Sequence, residues 1–417
     1  MTYGSRGDVE PFVALAVGLQ RAGHTVRLAA PAMFASLAQV HGVTFEPLAG
    51  DPDRLALALT DRAGFSGPRM VAQMVRHVLP LSASVFRAVE AASSDAEVII
   101  HSFLLTEAGH TIANRRGIAD FSAQLFPVFA TTSAFPAVVF PDLRLGGGYR
   151  RITHNLNTAV FRLGGRLLYR RVRADAPDLP DLAPWPFDDA GRGPTPLLFA
   201  YSPVALPRPA DWPASVRVTG YWNLAPAPGW SPPGSLVRFL EAGPPPLYFG
   251  VGSMRTRRMP ELLDTVIQAV KATGQRALLG MPRATGEASS LPSEVFPADG
   301  VPHDWLFRHT QMVIHHGGAG TTGAALRAGV PSTAIPFTAD QSFWARQIHR
   351  LGVGPPGVPA LHLSAGGLAT IIEEAIGDPR YRTRAHSVGD QLRQENGVAS
   401  AIEFIEGRWE AAPKAAA

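Results

Sequence analysis

The chain contains no cysteine, so no disulfide braces it and no thiolate is available as nucleophile or metal ligand. Lysine is almost missing as well: Lys271 and Lys414 are the only two, and arginine supplies the remaining positive charge. The net charge of +4 is small for 417 residues. Short clusters such as Arg170-Arg171-Arg173 and Arg255-Arg257-Arg258 read as solvated faces, or as a weak peripheral attraction to anionic lipid heads. Aromatic residues do not interleave with them, which argues against nucleic acid as a partner. No apolar run reaches the roughly 18 residues of a membrane span. The best stretch, LFPVFATTSAFPAVVFP at 125–141, is broken by Pro127 and Pro136. The N-terminus lacks the charged and apolar regions of a signal peptide. With the missing cysteines, this leads to an expectation of a cytoplasmic protein.

What is present is a globular composition, 46% hydrophobic and 17% charged, on a chain long enough for two domains. Short apolar runs alternate with amphipathic stretches, the pattern of parallel sheets covered by helices. Strands are expected at 25–30, 43–47, 97–101, 247–251, 277–279, 312–315 and 332–336. Helices are expected at 11–21, 33–41, 69–92, 104–116, 150–173, 260–272, 321–328, 341–351, 368–376 and 399–409, with a frayed tail from 412. The Pro-rich passage 201–233 reads as a linker or a series of turns. The architecture expected is α/β: two doubly wound, Rossmann-like domains facing each other across a cleft, with ligands beyond the carboxyl ends of the strands. The expected boundaries are 1–207, a linker at 208–232, 233–396, and a terminal helix within 397–417 that packs back on the first domain. Only Met1, Thr2 and Tyr3 precede the Gly-rich turn Gly4-Ser5-Arg6-Gly7-Asp8. A strand usually needs about 5–6 residues, so a truncated first strand is expected.

The most informative segment is MVIHHGGAGTTGAALRA at 312–328. An apolar strand runs into His315-His316, then small residues and hydroxyls, then a helix. Gly317, Gly318 and Gly320 allow a ligand close to the backbone, the helix start directs free N–H groups outward, and Thr321 and Thr322 add hydroxyl donors. This suits a diphosphate; the competing reading is a tight strand–helix turn with a satisfied histidine. No Walker lysine follows these glycines, which argues against NTP hydrolysis.

HHGGAGTTGAALRAGVP, followed by Phe337-Thr338-Ala339-Asp340-Gln341, resembles the donor-binding region of family 1 glycosyltransferases with the GT-B fold. With VPHDWLF at 301–307 it is similar to the sterol 3β-glucosyltransferase branch, and bacterial antibiotic (macrolide and glycopeptide) glycosyltransferases are close relatives. GSRGDVEPFVALA at 4–16, ADWPASVRVTGYW at 210–222 and YFGVGSM at 248–254 extend the resemblance over almost the whole chain. It implies an inverting, metal-independent hexosyltransferase taking a nucleotide diphosphate sugar, UDP-glucose favoured, and a hydroxyl of an apolar acceptor such as a sterol, triterpenoid or polyketide. The nucleotide sugar is then a substrate, and no cofactor is implied.

Carried over by position, the resemblance implies that His316 and Thr321 contact the diphosphate beside Gly318, Ala319 and Gly320. It further implies that Ser253 contacts phosphate and that Val301–His303 recognises the base mainly through backbone. The base-stacking Trp of plant relatives is missing, with Gly300 near its place, and Trp305 reads as packing. Asp340-Gln341 resembles the pair holding sugar hydroxyls; a helix N-cap is the alternative for Asp340. His315 reads as support for the strand end. Asp8 is the catalytic candidate, a general base for the acceptor hydroxyl, with helix capping as its alternative. Ser5, Arg6 and Gly7 are expected against the diphosphate. The lone Asp51-Pro52-Asp53 reads as turn chemistry and not as a metal clamp. Phe126, Phe129, Phe135 and Phe140 suit an apolar acceptor wall or ordinary core equally well. Two other readings remain: an epimerase or phosphorylase on the same plan, and a catalytically silent binding partner.

Overall fold

The computed structural model describes residues 1–52, 54, 67–188, 193–254, 257–281 and 291–410. Asp53, Arg255 and the tail from 412 lie outside the described residues. The chain divides into two compact units. One comprises Met1–Pro203, Pro207–Leu224 and Asn396–Ala417; the other comprises Val204–Leu206 and Ala225–Glu395.

In the first unit, α1 (Arg6–Arg21) leads to β1 (Arg27–Pro31), α2 (Ala35–Val40), β2 (Thr44–Leu48), α3 (Gly67–Ala92) and β3 (Val98–His101). Next come α4 (Thr106–Arg116), β4 (Ala119–Gln124), α5 (Gly146–Asp175), β5 (Leu197–Phe199) and β6 (Val216–Val218). All ladders are parallel: β1 pairs β2, and β3-β4-β5-β6 form a second set. Residues 1–3 lie between the two sets. Thr2 donates its N–H to Ala29 at 2.9 Å, the Met1 amino group donates to Ile100 at 2.6 Å, and Ser102 donates to Met1 at 3.0 Å. These three residues therefore take the strand position ahead of the Gly4 turn. On β1, Leu28 and Ala30 join one apolar cluster and Ala29 the other, so the sheet is buried on both faces, as parallel sheets require.

The second unit runs α6 (Gly234–Glu241), β7 (Leu247–Gly250), α7 (Met259–Thr273), β8 (Ala277–Gly280), β9 (Val295–Pro297), α8 (His303–Leu306) and β10 (Met312–His315). It continues through α9 (Ala319–Ala328), β11 (Ser332–Ala334), α10 (Ala339–Arg350), α11 (Ala365–Gly377) and α12 (Pro379–Gln394). Its sheet has the order β11-β10-β7-β8-β9, again all parallel. Alternation is strict: Met312 and Ile314 of β10 enter one cluster and Val313 the other. The order reverses beside β7 and β10, and the turns after these two strands stand at that switch point. The last helix, α13 (Gly397–Glu410), belongs to the first unit and packs on α1, where Gly18 leaves room for Val398 and His24 meets Glu406 at 2.9 Å.

Several expectations need correction. The passage 208–232 is no bare linker, because Val216–Val218 forms β6 and the change of unit falls after Leu224. Helix α1 starts at Arg6 and not at Pro11: Ser5 and Asp8 form a capping box that starts it one turn earlier, and Pro11 sits inside. Strands β4, β5, β6 and β9 were not anticipated. β4 carries Asp120, Ser122 and Gln124 and shows no apolar run, and the other three are only 3 residues long.

Candidate functional site

The loop after β10 is shaped by two adjacent histidines with different tasks. His315 is buried, and its Nδ1 accepts the N–H of Gly317 at 3.1 Å, so the ring braces the turn. Burial holds its imidazole neutral, well below the ordinary range, with the neighbouring His316 adding to the effect. Gly317 has φ +89°, and a Cβ there would stand 2.8 Å from the Gln341 carbonyl oxygen, so glycine is required.

His316 is wedged between two glycines. A Cβ on Gly252 would lie 2.6 Å from its Cε1, and one on Gly318 would lie 2.4 Å from its Nε2. Its Nδ1 is out of solvent and has no hydrogen-bond partner among the described residues. Burial lowers the imidazole from 6.5 to about 4, so His316 is neutral at pH 7 and can offer one hydrogen bond but no full charge. The turn after β7 therefore touches the turn after β10, as the pairing of Gly250 with His315 requires. Ser253 stands in that first turn, and its hydroxyl meets no partner among the described residues.

Helix α9 begins with Gly318 as N-cap and no side-chain cap. Its first-turn amides, at Ala319, Gly320 and Thr321, are the orphan donors of a helix start, with the positive end of the helix dipole behind them. Thr322 is turned inward, its hydroxyl donating to the Gly318 carbonyl at 2.9 Å. Thr321 is half-buried, and its hydroxyl has no such bond among the described residues. A Cβ on Gly320 would meet no atom of the described residues within 4 Å, so none of them explains that glycine.

The pair at the start of α10 is more constrained than expected. Thr338, not Asp340, is the N-cap, and Gln341 closes a capping box with it. The Gln341 side-chain oxygen accepts from the amides of Phe337 at 2.7 Å and Thr338 at 3.2 Å, while its Nε2 faces the Met254 sulfur at 3.4 Å, a weak acceptor. Asp340 accepts from the Thr338 hydroxyl at 2.8 Å. Burial pushes its carboxyl above the usual range, opposed by that hydroxyl. At the start of α8, the His303 ring bonds the Tyr248 hydroxyl at 3.1 Å and stacks on Phe307, leaving backbone as what the 301–303 segment can present. Trp305 packs against Trp230 and His309.

In the first unit, Asp8 is the third residue of α1. Its Oδ2 accepts from the Ser5 amide at 2.7 Å and the Ser5 hydroxyl at 2.9 Å. Gly4, at φ +146°, has no room for a Cβ, which would sit 2.4 Å from that oxygen. Asp8 thus has a fixed orientation and also performs the capping role weighed against catalysis. Arg6 is exposed and pairs with Glu10 at 2.8 Å, so part of its charge is already answered, and Gly7 is exposed. Asp51 accepts the Arg54 amide at 3.3 Å, a turn contact. Phe129 sits among the rings of Phe103, Phe161, Trp185 and Phe187, and Phe135 is buried against Trp212.

One buried polar cluster was not read from sequence. Asp120 on β4 accepts from His101 at 3.0 Å, His110 at 2.9 Å and Thr195 at 3.2 Å. Burial works against its ionisation, but the two imidazoles outweigh it and keep the carboxyl well below its ordinary range. The signals were faint: a histidine ending VIIH and an aspartate early in a strand.

Residues 1–135 match the model described as glycosyltransferase family 28 N-terminal domain. Residues 265–400 match the erythromycin biosynthesis protein CIII-like C-terminal domain. Over 97% of its length the chain is 34% identical to a sterol 3-beta-glucosyltransferase of Aspergillus fumigatus and 32% identical to the sterol 3-beta-glucosyltransferase UGT80A2 of Arabidopsis thaliana. It spans 29% of the first protein and 64% of the second. Among solved structures it is similar to a glycotransferase of kitacinnamycin (TM-score 0.70, 21% identity, 97% of each chain). It is also similar to CalG4, the calicheamicin glycosyltransferase (TM-score 0.69, 16% identity, 99% of this chain and 98% of that one). A further similar structure is SsfS6 of Streptomyces sp. SF2575 complexed with thymidine diphosphate (TM-score 0.60, 19% identity, 97% of this chain and 98% of that one).

Proposed function

The chain belongs to the family 1 glycosyltransferases of GT-B fold, and from that premise we propose that it moves a hexose from a nucleotide diphosphate sugar to a hydroxyl of an apolar acceptor. The observation carrying this reading is the His316 cradle. The His316 ring stands between Gly252 and Gly318 beside the uncapped start of α9, Ser253 follows Gly252 in the chain, and a Cβ on Gly320 would meet no atom of the described residues within 4 Å. Together they form a set of neutral donors around a place for an anion.

In the proposed reaction the acceptor oxygen attacks the anomeric carbon from the face opposite the diphosphate. The bond from that carbon to the diphosphate oxygen breaks, its electron pair leaves with the phosphate, and the hydroxyl proton passes to the Asp8 carboxylate. One displacement inverts the anomeric centre. Charge growing on the leaving group is met by His316, Thr321, Ser253 and the α9 amides, a preorganised set that needs no metal ion. Asp340 and Gln341 hold the sugar, chiefly through the carboxylate and the Gln341 Nε2, since the Gln341 oxygen is already used.

UDP-glucose is the proposed donor and a sterol-like alcohol the proposed acceptor, the sugar and alcohol following the names of the fungal and plant relatives. A thymidine diphosphate sugar is the alternative suggested by the SsfS6 complex. The test is a matrix of UDP- and dTDP-sugars against sterols, macrolides and flavonoids, read by mass spectrometry. A hexosylated acceptor supports the proposal. Release of sugar phosphate or an epimer from the donor alone, or tight nucleotide binding with no transfer to any acceptor, overturns it.

A further inference from the structure

Helix α5 is inverted relative to an ordinary surface helix. The residues it buries include Thr153, His154 and Asn157, and His154 is tied to the Phe135 carbonyl at 3.0 Å. The residues it exposes include Ile152, Leu156, Val160, Leu163 and Leu167, each at least 51% accessible. Their spacing of four, four, three and four residues places all five on one face, a stripe about 22 Å long. Of the 13 large hydrophobic side chains exposed among the described residues, 8 fall between Val139 and Leu167, so this is a concentrated patch and not scattered surface.

Arginine borders the stripe. Between residues 139 and 175 the only charges are eight arginines and the two acids Asp142 and Asp175. Arg151 and Arg162 are answered by Asp211 and Asp188 from neighbouring segments, at 3.1 and 2.8 Å. Arg144, Arg170 and Arg171 have no ion-pair partner among the described residues. An apolar stripe flanked by unanswered arginines matches the layered chemistry of a lipid surface, acyl chains beneath anionic headgroups. None of the described helices is long and apolar enough to cross a membrane, so α5 would lie on the surface.

We propose that α5, with the segment leading into it, docks this protein on an anionic lipid bilayer, the stripe entering the headgroup–acyl boundary and Arg144, Arg170 and Arg171 pairing with lipid phosphates. A second copy of the chain fits less well, because joining two such faces would bring like charges together. The surface lies outside every residue assigned to donor or catalysis, so it stands whether or not the proposed transfer reaction does.

The test is flotation of the full chain with vesicles of phosphatidylcholine alone or mixed with phosphatidylglycerol, without nucleotide or acceptor. The expected result is binding to the mixed vesicles that falls on raising salt. Leu156→Gln with Leu163→Gln is expected to weaken it about tenfold or more, and Arg170→Gln with Arg171→Gln about tenfold. Both pairs are exposed and should leave the thermal transition and UDP binding unchanged. The proposal is overturned if the wild type stays unbound, or if both double variants bind like wild type. It is also overturned if the wild type is a dimer that the leucine variant converts to monomer.

Discussion

Replacing Gly320 by alanine separates the needs of the fold from those of the ligand. Gly320 is the second residue of α9, and a Cβ there meets no atom of the described residues within 4 Å. For the fold alone the change is favourable, since glycine in a helix costs roughly 0.5–1 kcal/mol relative to alanine. For a unit of this size that corresponds to a rise of about 1–4 °C in melting temperature. For a diphosphate seated on the α9 amides the same methyl is an obstruction. Hydrogen bonds to charged groups contribute about 1.5–3 kcal/mol each, so disturbing one should weaken UDP binding by about ten- to a hundredfold. Thermal melting and calorimetric titration on one preparation of Gly320→Ala read both quantities. A variant that is more stable and binds UDP as well as wild type would refute the placement of the diphosphate at this turn.

Asp8→Ala should abolish transfer while leaving UDP affinity nearly unchanged, measured by turnover and calorimetry. Because the Asp8 carboxylate also closes the α1 capping box, a stability loss of about 1 kcal/mol should accompany it; near-normal turnover would remove Asp8 as the base. Acid should destabilise the second unit. His316 is lowered from 6.5 to about 4 in the folded chain, so the unfolded chain binds the extra proton as pH falls between these values. Stability is complete above about pH 6.5 and declines towards pH 4, by about 3 kcal/mol from this group. Replacing His316 by asparagine should flatten the profile in denaturant titrations, and an unchanged slope would contradict the burial argument.

Much of this fold was legible because parallel strands buried on both faces are short apolar runs. LYFG, MVIH and VIIH announced themselves and their turns. β4 did not, because it carries polar side chains at alternate positions, and its Asp120 is satisfied by partners distant in sequence, His101 and Thr195. Helix starts were misplaced for a related reason. Pro11 looked like a first-turn residue, and Asp340 like a cap, but the caps are Ser5 and Thr338, each paired with a side chain three residues on. At the candidate site, glycines and histidines named the loop after β10. The resemblance separated His315, as support for the strand end, from His316; what sequence did not give was their contacts, since these involve the Gly317 amide and Gly252, a residue from another strand's turn. The apolar face of α5 was hidden as well: a helical pattern tells that one side is apolar but not which side the fold covers.

The central claim is that the turn around His316 holds the diphosphate of the donor. Calorimetric titration of UDP and dTDP into the wild type and into His316→Ala tests it most directly. Saturable binding of at least one nucleotide to the wild type is expected, with a loss of about ten- to a hundredfold in the variant, the worth of a hydrogen bond to a charged group. Affinity that is unchanged by the substitution, or a wild type that binds neither nucleotide, would contradict it.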